Sequence, residues 1–451
     1  MKTSILMALG LSGLLIVGSS CKKFIDVKPE LNISDELTIV DGNSAQTAVR
    51  GIYNQLQSND YYGYTFQTLG LFSGDNVQYV GSQTVNQQLT NHTVLADLAA
   101  VGNSWAAIYN TINRANNVIA KVPALPVSTT FTETLRNQLV GEAYFLRALA
   151  YFDLARTWGG VQLVTTPTTS AADQTLAKRS TLAETYAQVL RDLAQAETLL
   201  PNTTNRIRAT RKTAYALHAR VALYQKDYTN AAAYATRLIE DTNYALIGPY
   251  NSFFAANATV TQESVFELQY NINVTNSQAY NWQPSSNGGV GWVTPTPAVA
   301  TLLLNTAVSG NRNSLILTQT TGGVTRYFGN LYYRTAGTDP IYLIRIAELY
   351  LIRAEALAQL NDLAGATRDL NAVRSRAGLT GTTATTQANL ILAIESENRL
   401  EFAFEDHRWY DLIRTGRAGT ILGISDPNKL LLPIPYAQLL IDPNLSQNPG
   451  Y

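Results

Sequence analysis

Cysteine and histidine are almost absent from this sequence of 451 residues, which has one cysteine and three histidines. A single cysteine excludes a disulfide framework and any zinc or redox site that is built on paired cysteines. Three histidines leave little material for a histidine-rich metal centre. We therefore expect no metal-ligating site residues and no cofactor in this protein, and a calcium ion that steadies a loop stays an open alternative.

Charged residues are also scarce, at 15% of the chain, and the 33 basic side chains are balanced by 33 acidic ones. A neutral chain creates no overall field that would attract nucleic acid. The densest basic cluster, residues 206–212 (RIRATRK), is short and has no interleaved aromatic residues, so we expect no nucleic-acid partner. Hydrophobic residues make up 46% of the chain, which is enough to bury a large core.

Sequence motifs of the common enzyme classes are missing: there is no P-loop, GxSxG elbow, HExxH pair or dinucleotide-binding glycine pattern. Glu397, Glu401 and Glu405 recur every four residues, a spacing that would align carboxylates for acid–base chemistry on one helix face. Arginines in the same segment favour structural ion pairs instead. We therefore expect no catalytic residues. A glycosidase remains the alternative only if turnover is measured and Glu401→Gln abolishes it.

The longest apolar run lies at the N-terminus and is too short to span a bilayer. Lys2 supplies a positive charge, and residues 5–17 form an apolar stretch of 13 residues, which is typical of a secretion signal. The small residues 18–20 then precede Cys21. This segment resembles a bacterial lipoprotein signal that is cleaved before the cysteine, which implies a signal peptide over residues 1–20 and lipidation of Cys21. The alternative is an ordinary secreted protein with a free thiol.

Helical periodicity dominates the rest of the chain and predicts an all-α scaffold. The segments with apolar residues at helical spacing are 43–56, 104–121, 132–157, 180–200, 211–225, 230–240, 341–360, 363–376 and 387–414. Two of the helix pairs look alike, namely 211–225 with 230–240 and 341–360 with 363–376. Asp227 and Asp362 occupy the same position in the turn of each pair, and small alanines follow in the second helix. Both pairs look like tetratricopeptide hairpins.

The segment of about 241–340 lies between these hairpins and has no sustained helical period. It is rich in Asn, Thr, Gly and aromatic residues, so we predict a loop-rich, partly β insertion. Tyrosine and tryptophan rings can stack on the C–H face of a sugar while amide side chains bind its hydroxyl groups. The candidate binding residues of the insertion are Tyr280, Trp282, Trp292 and Tyr327.

Seven segments, in the same order along the chain, resemble those of the SusD/RagB family of outer-membrane nutrient-binding lipoproteins. They are residues 23–29 (KFIDVKP), Trp105 with Tyr109, Ile112 and Asn113, residues 141–148 (GEAYFLRA) with 158–160 (WGG), residues 345–351 (RIAELYL) with 354–356 (AEA), residues 370–378 (LNAVRSRAG), residues 397–412 (ENRLEFAFEDHRWYDL), and residues 432–435 (LPIP) with 447–451 (QNPGY).

The resemblance implies a single SusD-like domain over residues 21–451. It also implies a lipid-anchored protein of the outer membrane, facing outwards, that binds an oligosaccharide and delivers it to a SusC-like, TonB-dependent transporter. The region ahead of the Trp105 segment is similar in position to the family's ligand-binding region, which adds the candidates Asp75, Asn76, Tyr79 and Gln83. Two alternatives stay open: a peptide-binding member of the same family, and a tetratricopeptide adaptor with only protein partners.

Overall fold

The computed structural model describes residues 38–168 and 178–451. The predicted signal peptide and Cys21 lie outside these residues. The α-helices are α1 Gly42–Leu56, α2 Thr65–Ser73, α3 Gln87–Thr90, α4 Ala99–Lys121, α5 Glu133–Trp158, α6 Leu182–Leu199, α7 Arg211–Tyr224, α8 Tyr228–Ile239, α9 Gln278–Trp282, α10 Pro297–Leu304, α11 Thr306–Ser309, α12 Ile346–Gln359, α13 Leu363–Arg376, α14 Gln387–Glu401, α15 Arg408–Arg414, α16 Ala418–Leu422 and α17 Tyr436–Ile441. The strands are β1 Val77–Tyr79, β2 Ser264–Leu268, β3 Val293–Pro295, β4 Ile316–Thr321, β5 Val324–Gly329 and β6 Ile341–Arg345.

The long helices begin at residues whose side chains can cap them. Thr132 and Thr181 stand immediately before α5 and α6, and each hydroxyl oxygen accepts a hydrogen bond from a backbone N–H in the first turn. At α6 the cap is reciprocal, because Glu184 accepts from the backbone N–H of Thr181 at 2.7 Å. A cap of this kind is worth about 1 kcal/mol, so these residues help to define where the helices start.

The two helix hairpins predicted from the sequence, α7–α8 and α12–α13, are present and have the same turn. Lys226 and Asn361 adopt the left-handed conformation, with φ of 60° and 67°. Asp227 and Asp362 then cap the second helices, accepting from the N–H of Asn230 at 3.1 Å and from that of Gly365 at 2.9 Å. Helix α12 packs against both α13 and α8, so the two hairpins form one continuous helical layer.

Helix α5 runs through the core, and most of its last twenty residues are buried. Gly141 allows the close approach of α6, since a Cβ at this position would lie 2.9 Å from the side chain of Leu200. Arg147 of α5 forms a buried ion pair with Asp192 of α6, with 2.7 Å between Nη2 and Oδ1. Charges on the helix surfaces therefore tie helices together.

The structure corrects the prediction of a helix over residues 341–360. Ile341–Arg345 is strand β6, paired antiparallel with β2, and the helix begins only at Ile346. All five residues of β6 are buried, because both of its faces are covered. A short, continuously apolar run of this kind has no periodicity that separates a buried strand from a buried helix.

The predicted helix over residues 387–414 is also wrong, because turns at residues 402–407 separate α14 from α15. Four consecutive residues, Phe402, Ala403, Phe404 and Glu405, are buried. A helix that packs through one face cannot bury four residues in a row, so such a run needs either a helix covered on all sides, like α5, or a turn that directs the side chains to different neighbours, as here. Glu405 thereby reaches Arg345, with 2.7 Å between its Oε1 and the arginine Nη2.

The insertion contains short strands and helices joined by loops, as predicted, and its strands form three two-stranded sheets. Strand β2 pairs with β6, β4 with β5, and β3 with β1, which lies far outside the insertion. A helical scaffold with a loop-rich, partly β insertion confirms the predicted fold class. No helix in the described ranges is both long and apolar enough to cross a membrane.

Candidate ligand-binding groove

The candidate site begins with the pairing of β1 and β3. Gln78 lies opposite Thr294, and Tyr79 lies opposite Val293. One further hydrogen bond, from the backbone N–H of Val80 to the carbonyl of Trp292 at 2.8 Å, continues the pairing past the strand ends. The segment before α4 and the aromatic insertion are therefore held side by side.

The hairpin β4–β5 forms a second wall beside β3. Its turn is Gly322-Gly323, and both glycines have positive φ, 60° and 78°. Such a two-residue turn matches the twist of an antiparallel pair and needs glycine because side chains disfavour this conformation. The turn sets a register in which Gln319 lies opposite Arg326 and Thr318 opposite Tyr327.

Between these elements lies a groove of about 470 Å³, which we call the β1–β3 groove. Its size is in the range that binds small molecules. The residues that line it are Gln78, Val80, Pro284, Ser285, Val290, Gly291, Thr294, Pro295, Pro297, Gln319, Arg326, Tyr327 and Phe328.

The lining combines aromatic rings with amide and hydroxyl groups. Tyr327 is half-buried and Phe328 is buried. Gln319 donates a hydrogen bond to Ser286 Oγ at 3.0 Å, and Gln78 donates a longer one to Thr294 Oγ1 at 3.4 Å. This arrangement can bind a ligand that has both an apolar face and polar edges.

Close packing of the loop 284–291 against the hairpin shapes one side of the groove. Gly291 has a φ of 60°, and a Cβ at this position would lie 2.8 Å from the ring of Phe328. Only glycine fits both restrictions. The approach of Gly291 to Phe328 brings the loop and β5 together on this side of the groove.

Three of the aromatic residues predicted from the sequence are brought together here. Tyr327 lines the groove. Tyr79 and Trp292 are adjacent in sequence to the lining residues Val80 and Gly291, and their rings meet edge to face with centroids 6.3 Å apart. Gln83 is exposed near them, and its backbone N–H donates to the hydroxyl of Tyr79 at 3.4 Å.

Asp75 and Asn76 instead bind arginines of the helical scaffold. Asp75 forms ion pairs with Arg399 and Arg408 at 2.8 and 2.7 Å. Asn76 is buried, and its Oδ1 accepts from Nε of Arg399 at 2.8 Å. These two residues fix the start of β1 against α14 and α15, and neither lines the β1–β3 groove.

Trp282 and Tyr280 lie on the short helix α9 but differ in their surroundings. Trp282 is only 1% exposed, its indole N–H donates to Gln278 Oε1 at 3.1 Å, and its ring lies 5.0 Å from that of Phe404. Its contacts are therefore those of a core residue. Tyr280 is 54% exposed, and its side chain does not line the groove.

The carboxylates that the sequence spaces at four-residue intervals lie in a buried ionic cluster. Glu401 accepts from Arg312 Nε at 2.9 Å and from Arg345 Nη1 at 2.8 Å, and it also pairs with Arg376. Burial alone would raise the pKa of the Glu401 carboxyl, but the three guanidinium groups lower it to about 2. Glu401 is therefore ionised and enclosed, which agrees with the structural role predicted for it.

Asp406 is a buried carboxylate with few partners. Both of its oxygens are shielded and have no hydrogen-bond partner among the described residues, and Nη2 of Arg156 lies 3.6 Å from Oδ2. Burial raises the pKa of Asp406 to about 7, although the guanidinium of Arg156 opposes the shift. No cluster of three metal-ligating side chains occurs around it or elsewhere in residues 38–168 and 178–451.

Sequence reasoning did not select Gln78, Gln319 and Arg326 as groove residues. Gln78 precedes Tyr79 on β1, and only the long-range pairing with β3 reveals its position. A local signal existed for the other two. Gly322-Gly323 between two runs of Thr and apolar residues is a hairpin signature, which would have placed Gln319 and Arg326 opposite each other.

Comparisons with known proteins agree with this architecture. Residues 23–223 match a family model described as starch-binding and associating with the outer membrane, and residues 306–429 match the SusD family model. SusD-like protein P38 of Formosa agariphila is 26% identical, over 96% of this chain and 96% of its own length. A SusD-like protein of Bacteroides ovatus is 24% identical, over 88% of this chain and 80% of its own.

Solved structures share the fold over almost the whole chain. A laminarin-binding SusD-like protein superposes with a TM-score of 0.81 at 24% identity, covering 92% of this chain and all of its own. A SusD superfamily protein of Bacteroides vulgatus gives a TM-score of 0.82 at 21% identity, covering 91% of this chain and 99% of its own. From its family models, its relatives and its fold, this chain belongs to the SusD/RagB family.

Proposed function

We propose that this protein is a lipid-anchored, outward-facing lipoprotein of the outer membrane that binds an oligosaccharide in the β1–β3 groove and delivers it to a SusC-like, TonB-dependent transporter. Residues 21–451 form its single domain, and Cys21 carries the lipid. The matching family description, starch-binding and associating with the outer membrane, supports the ligand class and the location. The laminarin-binding relative shows that this fold can carry a carbohydrate site.

The observation that carries the proposal is the composition of the groove. Tyr327 offers an aromatic face, while the amides of Gln78 and Gln319 and the hydroxyl of Thr294 offer donors and acceptors at its edges. A pyranose ring has a C–H face that stacks on such a ring and hydroxyl groups that bind such amides. Binding of this kind is reversible and leaves the glycosidic bonds intact.

The buried carboxylates support binding rather than turnover. Glycoside hydrolysis uses a pair of carboxyl groups on either side of the scissile bond. No Asp or Glu is among the residues that line the β1–β3 groove. Glu401 is enclosed by arginines and fully buried, so a sugar has no access to it.

A binding panel tests the proposal. The full chain, purified in detergent, is titrated with neutral and acidic oligosaccharides and with a set of extended peptides. We expect saturable binding of at least one oligosaccharide without release of shorter products. Binding of peptides alone would favour the peptide-binding alternative, and co-purification of protein partners without any transport barrel would favour an adaptor. Mass spectrometry of the mature N-terminus tests the lipid: an unmodified Cys21 contradicts the anchor.

A further inference from the structure

The residues that line the β1–β3 groove carry positive charge without any compensating negative charge. Among its lining residues there is no carboxylate, and the only formally charged side chain is that of Arg326. Uncharged amides, hydroxyls and rings make up the rest of its polar surface. A cation without a nearby anion creates a positive potential in the groove, and the low-dielectric walls of a groove strengthen such a field.

Arg326 differs from the arginines near the other end of β1. Arg399 and Arg408 form ion pairs with Asp75, at 2.8 and 2.7 Å. Arg326 is exposed on β5, and within the described parts of the chain its guanidinium has neither an ion-pair nor a hydrogen-bond partner. Its five N–H donors are thus available to a ligand.

Neighbouring groups suit an anion that is part of a sugar. Gln319 lies opposite Arg326 in the register of the hairpin, and Tyr327 follows Arg326 on β5. A guanidinium group binds the two oxygens of a carboxylate or a sulfate ester through parallel hydrogen bonds. The adjacent amide and ring would hold the hydroxyl groups and the C–H face of the same saccharide.

We propose that the groove selects an acidic oligosaccharide, one that carries carboxylate or sulfate ester groups, and that Arg326 binds the acidic group. This inference rests on the proposed function, since it names the class of oligosaccharide bound at the same site. The interaction is exposed, so added salt weakens it by screening.

The test compares three kinds of oligosaccharide of similar length on the detergent-purified full chain: oligogalacturonate with carboxylates, oligocarrageenan with sulfate esters, and laminarin oligosaccharides without charge. Affinities are measured at low and high salt for the native protein, for Arg326→Gln and for Arg368→Gln. Arg368 is a matched control because its side chain is 69% exposed and lies outside the groove.

We expect one of the two acidic probes to bind more tightly than the neutral one, and the stronger of the two identifies the acidic group. Arg326→Gln should lower that affinity at least about fivefold at low salt, because a charge-assisted hydrogen bond is lost. The same variant should leave the melting temperature unchanged, and Arg368→Gln should bind like the native protein. High salt should reduce the difference in affinity for the acidic probe between the native protein and Arg326→Gln.

Three results overturn the inference, and they differ in what they say of the proposed function. If the neutral probe binds at least as well as both acidic probes, or if Arg326→Gln binds the acidic probes as the native protein does, acidic selectivity is wrong and oligosaccharide binding stands. If none of the three oligosaccharides binds, both the inference and the proposed function fail.

Discussion

The rings of Tyr79 and Trp292 lie edge to face, with centroids 6.3 Å apart and their planes at 66°. Phe72 of α2 contacts Tyr79 in the same edge-to-face geometry, with ring centroids 5.7 Å apart. The three rings connect the helical scaffold to the insertion through β1. The groove therefore lies beside side chains that are packed against the scaffold, and such packing would reduce the entropy cost if a ligand binds there.

Trp282 should contribute to stability and not to ligand stacking. Its ring is buried, and a Cβ at Gly329 would lie 2.2 Å from it. We expect Trp282→Ala to lower the free energy of unfolding by about 3–5 kcal/mol, because a large buried side chain is removed. Urea denaturation measures this, with Tyr280→Ala as the exposed control on the same helix. Equal stability of the two variants would contradict the core position of Trp282.

Glu401 should be a structural residue, because its loss removes a carboxylate that pairs with the three buried arginines Arg312, Arg345 and Arg376. Removing one member of a buried ionic cluster costs about 3–5 kcal/mol, so we expect Glu401→Gln to lower the free energy of unfolding by that amount. The control is Glu133→Gln, since Glu133 is 73% exposed in a surface ion pair. This substitution should lower the free energy of unfolding by less than about 1 kcal/mol. Native stability of Glu401→Gln would argue against the structural role.

Asp406 should make stability depend on pH in a defined direction. Burial raises the pKa of its carboxyl from 3.8 to about 7 in the folded chain. Between these values the folded state holds a proton that the unfolded state has lost, so stability falls as pH rises. The stabilisation is complete below about pH 4 and is lost as pH rises through about 7.

The variant Asp406→Asn isolates this contribution, because the facing charges of Arg156, Asp153 and Arg220 stay the same in both proteins. Relative to the native protein, the variant should gain stability between pH 4 and pH 8, by up to about 4 kcal/mol. Denaturant titrations of both proteins across this range give the difference. A difference that stays constant with pH, or that favours the native protein at pH 8, would show that Asp406 has an ordinary pKa.

The sequence predicted those parts of the fold that depend on local patterns. The two hairpins were recognisable because Asp227 and Asp362 cap their second helices at equal offsets. The prediction of secondary structure failed at Ile341–Arg345 and at residues 402–407, because burial on all sides removes the regular spacing of apolar and polar residues. In both places tertiary contacts decide the backbone conformation, and no local pattern reports them.

The candidate site was harder to predict because its walls are distant in sequence. The structure places Tyr327 in the wall of the β1–β3 groove, and its role in binding stays a prediction. Asp75 and Asn76 have the side chains of a sugar site, but the arginines that they bind come from α14 and α15. Composition shows which groups are available, and only the fold shows which of them are already paired.

The most direct test of the account is the affinity of Tyr327→Ala for an oligosaccharide that binds the native protein, measured by calorimetric titration of the full chain. Tyr436→Ala is the control, because Tyr436 is 53% exposed and lies outside the groove. Loss of a stacked ring is worth about 1 kcal/mol or more, so we expect at least about a fivefold weaker affinity for Tyr327→Ala and no change for the control. Native affinity in Tyr327→Ala would contradict binding in the β1–β3 groove.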